Sequence, residues 1–170
     1  MRNSLYEKAY KQLNGVNILK FDCGRLCDKR CCRSGFCENS NSGMQLLPGE
    51  ADYIRWRAGF EIAENENGIF LLCDGNCERD FRPFACRIFP FYVKITQDKG
   101  RIRISLPPDI RARGFCPIIS KGSFLRKNIK FARAAKRAVK ILIKDEEIKK
   151  ELIALCAFID DIRLLHDKLK

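Results

Sequence analysis

Sulfur is the reactive element of this chain. Ten cysteines occur in 170 residues, and nine of them lie between Cys23 and Cys116. Their order is Cys23-x3-Cys27-x3-Cys31-Cys32-x4-Cys37, then Cys73-x3-Cys77-x8-Cys86, then Cys116. The single histidine, His166, lies near the C-terminus, so a site built here draws its donors mainly from thiolates. Such a donor set selects zinc or iron, the latter including a 4Fe-4S cluster. Adjacent Cys31 and Cys32 suit two neighbouring ions or a polynuclear cluster better than one mononuclear ion. Nine thiols also exceed the four ligands of one tetrahedral centre. The expected metal ligands are Cys23, Cys27, Cys31, Cys32, Cys73, Cys77, Cys86 and Cys116, with Cys37 left open between ligand and free thiol. Cys156 lies beside an apolar helical stripe and reads as a buried structural cysteine. His166 lies on that stripe and reads as a packing residue.

Clustered thiols become disulfides or metal ligands according to compartment. The first ten residues hold scattered charges and no continuous apolar stretch, unlike a secretory signal. No segment approaches the roughly 18 apolar residues of a membrane span. The expectation is a cytoplasmic chain with no membrane span, whose cysteines stay reduced and bind metal. Between Cys23 and Asn41 only Leu26 and Phe36 are large and apolar. Fixing each residue costs about 1–2 kcal/mol of backbone entropy, which two apolar side chains cannot offset. A structural zinc supplies on the order of 10 kcal/mol. Bound metal is therefore expected to be a condition for order in this segment.

The elements that must hold these sulfurs are short. Residues 2–14 predict a helix with Leu5, Tyr6, Ala9, Tyr10 and Leu13 on one side, ending near Asn14-Gly15. Residues 21–45 predict loop or short helical turns. Pro48-Gly49-Glu50 opens a helix with acids in its first turn. Ile69–Leu72 predicts a strand running into Cys73, and Asp74-Gly75-Asn76 a turn between Cys73 and Cys77. Phe91–Ile95 and Arg101–Leu106 predict a β-hairpin with one buried face, ended by Pro107-Pro108. The fold class is α+β: a small Cys-rich metal-organised domain over residues 1–120, with a β-hairpin and short helices. A basic amphipathic helical hairpin over residues 121–170 follows it.

Charge divides unevenly along the chain. The net value is +12, made up of +5 over residues 1–120, +9 over 121–144 and −2 over 145–170. Arg126, Lys130, Arg133, Arg137, Lys140 and Lys144 recur every three or four residues, on one helical face. Phe124, Phe131, Ala135, Ala138 and Leu142 take the opposite side. Residues 126–144 thus present a cationic ridge that is either a solvated surface or a site for nucleic acid or an acidic protein. No base-stacking aromatic lies within the ridge. The last helix begins with Asp145 as its cap and Glu146 and Glu147 in its first turn. Its stripe is Ile148, Leu152, Leu155, Ile159, Ile162, His166 and Leu169.

The string Cys73-x3-Cys77-Glu-Arg-Asp-Phe-Arg82-Pro83-Phe-Ala-Cys86-Arg87-Ile-Phe89-Pro90-Phe91 resembles the second signature of the YkgJ-like cysteine-cluster family. That family is described as a zinc- or iron-chelating domain. The cysteines ending in Cys31-Cys32 resemble its first signature, and Gly43–Glu50 a recurrent segment between the two. The resemblance covers about residues 20–117 and leaves the helical tail outside. The family pattern is Cys-x2-Cys-x2-Cys-Cys, whereas both intervals here are three residues. Flagellin lysine-methylating proteins are similar in their cysteine region, but this chain shows no cofactor-binding motif for that reaction. Arg82 and Arg87 flank Cys86, where a guanidinium can hydrogen-bond to thiolates or offset their charge from behind the ligands. Pro83 and Pro90 are expected to stiffen the backbone around Cys86, and Phe84, Phe89 and Phe91 either to seal it from water or to pack in the core.

Three functional readings follow. The first is a metal-binding protein coordinating zinc or an iron–sulfur cluster through cysteines alone. The second is a redox or protein-modification enzyme using an iron–sulfur or open iron site. The third is a zinc-stapled module whose basic helix binds nucleic acid or an acidic partner.

Overall fold

The computed structural model describes residues 2–19, 21, 23–28, 30–32, 44–55, 61–66, 68–72, 79–120 and 128–169. The expectations for Cys37, the Cys73–Cys77 turn, Phe124 and Arg126 fall outside these residues, and the side chain of Cys32 is likewise outside them. The fold is mixed α and β, with two small antiparallel sheets and six α-helices among the described residues.

Helix α1 spans Arg2–Leu13 and buries Tyr6, Ala9, Tyr10 and Leu13, the face its periodicity predicts. Gly15 follows at φ 67°, where a side chain would be strained, and the chain turns away there. Strand β1 (Met44–Gln45) leads to α2 (Glu50–Ile54). Strands β2 (Glu61–Asn65) and β3 (Gly68–Leu72) pair antiparallel, with Glu61 opposite Leu72, and β1 joins the other edge of β3 with Met44 opposite Leu71. Helix α3 (Phe84–Ile88) follows, then a hairpin of β4 (Lys94–Asp98) and β5 (Arg101–Ser105). Lys99 and Gly100 both have positive φ at its tip, as a two-residue turn matching strand twist requires. Helix α4 (Pro117–Ser120) precedes the two long helices, α5 (Ile129–Leu142) and α6 (Glu146–Lys168).

The ends of the long helices are capped by their own sequence. The Asn128 side chain accepts from Lys130 N, and the Asp145 carboxylate accepts from Glu147 N and Ile148 N. The two helices pack on different partners rather than mainly on each other. Helix α5 lies along α1, and α6 lies against β4 and the turn at Ile110–Ala112. Tyr92 OH and Lys94 Nζ both bind Asp160 of α6, each at 2.6 Å. A single apolar core includes Tyr6, Tyr10, Ile54, Phe84, Phe131, Leu142, Ile148 and Leu152, residues from both sides of position 120. The hairpin buries its face only partly: Ile95 and Ile104 pack on that core, while Ile102 is exposed.

Glu50 opens α2, as its sequence predicts, and is fully buried there. Its carboxylate accepts from Tyr10 OH at 2.5 Å, Leu47 N at 2.9 Å and Phe84 N at 2.6 Å. Three separate segments thus meet at one side chain. Burial raises its proton affinity above the ordinary carboxylate range, against the opposing pull of these donors.

Candidate metal centre

Two stretches of chain more than 80 residues apart supply the cysteine site. The first is a pair of 3-10 turns, Cys23–Leu26 and Arg30–Cys32, joined through Asp28 at φ 51°. They are not one helix, so the i, i+4, i+8 alignment of Cys23, Cys27 and Cys31 does not itself bring the three together. The reversal at Asp28 and the Arg30 N to Cys27 O hydrogen bond fold the segment back on itself.

The second stretch carries Cys116. Buried Asp109 accepts from Arg111 N at 2.9 Å and pairs with the Arg111 guanidinium, fixing the turn at Ile110–Ala112. Cys116 N then bonds Ala112 O at 2.9 Å, and Cys116 O accepts from Ile119 N and Ser120 N. Cys116 therefore stands just before α4, with its sulfur towards the first N–H groups of that helix. Burial pushes the Cys116 thiol pKa up. The N–H groups of Ile118 and Ile119 pull it down, and nearby Cys27 adds a smaller upward push. Hydrogen bonds from backbone N–H groups are the interaction that stabilises a ligating thiolate.

Between these stretches lies a cavity of about 30 Å³. Cys23, Cys27, Cys31 and Cys116 line it, with Arg82, Phe89, Pro90, Phe115 and Ile118. Phe89 and Phe115 stack with centroids 6.0 Å apart and supply an apolar wall. The Pro90 wall is tied to the Cys116 stretch, because Asp109 N bonds Pro90 O at 2.9 Å and Tyr92 N bonds Pro107 O at 3.1 Å. Among the described residues no group of three or more His, Cys, Asp or Glu side chains is gathered closely enough to hold a metal ion. The four sulfurs share a cavity, then, without converging on one point.

The other expected residues fall as follows. Cys86 is half-buried on α3, between Arg82 and Phe89, which both reach the cavity wall. Arg87 is buried and spans α1 and the segment before α3. It donates to Asn14 Oδ1 at 2.9 Å, to Arg82 O at 2.9 Å and to Asp80 O, and its guanidinium lies 4.3 Å from the centre of the Tyr10 ring. It thereby contacts the backbone of Arg82, whose side chain lines the cavity. Cys156 is buried with Tyr92 and Ile159, as its stripe predicts, and burial pushes its thiol pKa up. His166 is half-exposed beside Asp167.

Four sulfurs line the cavity, two backbone N–H groups face that of Cys116, and the Arg82 side chain and the stacked Phe89 and Phe115 rings form part of its wall. Cys116 as a partner of the first cluster was the part that spacing could not reveal, and Phe115, stacked on Phe89, is the residue that sequence reasoning left out. No helix among the described residues is long and apolar enough to cross a membrane. Neither a family model, nor a curated protein, nor a solved structure matches this chain.

Proposed function

We propose that this chain is a metal-binding protein of the YkgJ-like cysteine-cluster type, holding zinc or an iron–sulfur cluster through cysteine thiolates alone. The observation that carries the reading is the cavity shared by Cys23, Cys27, Cys31 and Cys116. These sulfurs come from distant stretches, and the cavity is lined by no carboxylate or imidazole among the described residues. Cys32, Cys73, Cys77 and Cys86 complete the ligand supply on this reading, enough for two ions or one cluster. Bound there, zinc would staple the two stretches together, while an iron–sulfur cluster would add electron transfer. Arg82 offsets thiolate charge at the wall, and Arg87 holds the backbone that presents it. The cysteines serve this role only where they stay reduced, as in a cytoplasm.

Anaerobic purification followed by elemental analysis and nondenaturing mass spectrometry tests the proposal. Stoichiometric zinc, or iron with inorganic sulfide and visible absorption, is the expected result. A compact protein that weighs as bare polypeptide would refute it.

A further inference from the structure

Lys130, Arg133, Lys136, Arg137 and Lys140 are exposed along α5, and Lys144 is exposed in the turn after it. Helical geometry gathers the five on α5 into an arc of about 120°, spanning about 15 Å from Lys130 to Lys140. The opposite face, with Phe131, Ala135, Ala138 and Leu142, is in the core. No acid occurs from residue 121 to 144. Among the described residues none of these six cations enters an ion pair. Elsewhere Arg2, Lys94, Arg111 and Lys149 all face carboxylates. Like charges three or four apart repel along a helix, and a polyanion laid on the ridge relieves that repulsion. The exposed side of α1, on which α5 packs, adds Lys8 and Lys11 against one acid, Glu7.

From this charge pattern we infer that the exposed face of α5 docks on the phosphate backbone of a nucleic acid duplex. The apolar face of α5 is committed to the core, so the helix cannot insert into a lipid surface. Protein interfaces centre on apolar and aromatic anchors with charge depleted at the core. This ridge has only Ile129, at its first position, as an exposed large apolar residue. A duplex instead offers one anion per roughly 1.7 Å of axis, a density that matches a row of cations. The ridge carries no aromatic to stack on bases and no Asn or Gln to read their edges. Its contacts are therefore to phosphates, and binding is independent of sequence. This inference stands apart from the metal reading.

Fluorescence anisotropy of a labelled 20-base-pair duplex of mixed sequence, titrated with the full chain as purified, tests it. Binding in the micromolar range is expected at 50 mM salt. With about four phosphates neutralised, it weakens roughly 100-fold by 200 mM. Reversing the ridge with Arg133→Glu, Arg137→Glu and Lys140→Glu should weaken binding at least 10-fold. Reversing the exposed cations Arg101→Glu, Lys150→Glu and Lys168→Glu, an equal change in net charge, should cost much less. A neutral triple, with Gln at the three ridge positions, keeps the test open should the reversed ridge fail to fold. The inference falls if the duplex does not bind at 50 mM salt or if the two reversals weaken it equally. It also falls if poly-glutamate or anionic vesicles bind more tightly than the duplex.

Discussion

Glu50 stands out of water with three donors on its carboxylate, one each from α1, the β1–α2 turn and the start of α3. Because burial raises its folded pKa, the native state keeps a proton that the unfolded chain has released. Its contribution to stability therefore falls as pH rises from the ordinary carboxylate range towards the raised value. Glu50→Gln places an N–H opposite a backbone donor and should cost about 1–3 kcal/mol at the acid end. Urea unfolding from pH 4 to 8 should show the gap between the two proteins narrowing as pH rises; a constant gap would refute this account. An acid after Pro-Gly reads in sequence as a favourable charge in a first turn, and nothing local marks it as buried. Among the cysteines, Cys27→Ser and Cys116→Ser should each weaken metal retention by about 10–100-fold or more. Cys156→Ser should leave it unchanged, since that sulfur sits with Tyr92 and Asp160. Competition against a chromogenic chelator measures all three.

Helices α1, α5 and α6 were legible because their apolar residues recur at helical spacing, and the Asp145 cap marks where α6 begins. Phe131, Ala135, Ala138 and Leu142, which the pattern of α5 names, are buried, and so are Ala134 and Val139, which it does not. The elements that escaped are β1, β2, α3 and α4. Each has five residues or fewer, too short for periodicity to develop, and each is held by neighbours rather than by its own pattern. The stripe of α6 is buried through Ile148, Leu152 and Ile159 but exposed at Leu169. Asp145 caps this helix and also receives Arg2 Nε at 2.7 Å, which holds its carboxyl below the usual carboxylate range. Its contribution is thus present above the unfolded carboxylate value and is lost as pH falls through the lowered one. Asp145→Ala should lower stability by about 1 kcal/mol near neutral pH through loss of the cap. The difference should shrink in acid, as thermal unfolding at pH 7 and pH 2.5 would show.

Across the molecule, the apolar core takes in one wall of the sulfur-lined cavity through Cys116, Ile118, Phe89 and Phe115, while the cysteine turns on the other side lie largely outside it. The core joins α1, α5 and the start of α6; among the described side chains of the turns at Cys23–Leu26 and Arg30–Cys32, Cys23 alone packs on it. On the metal-binding proposal, a strong chelator should loosen these two turns while the helices and the Cys116 wall persist. Amide exchange should quicken in those turns, with the far-UV circular dichroism nearly unchanged. Collapse of the whole helical signal would show that the core depends on the site. Composition foretold the weak turns, since the stretch from Cys23 to Asn41 has only Leu26 and Phe36 to bury. It could not foretell their meeting with Cys116, which depends on the stacked Phe89 and Phe115 and on the Pro90 carbonyl held by Asp109.

Among the described residues, Arg163 makes the last hydrogen bond from α6 to the body, donating to Pro108 O at 2.7 Å. Beyond it Leu164, Leu165 and Leu169 project into solvent. The long helix behaves accordingly as a beam clamped at one end, with an overhanging tip. Fraying starts at that tip and is arrested at the Asp160 clasp, so trimming the overhang leaves the sulfur-lined cavity undisturbed.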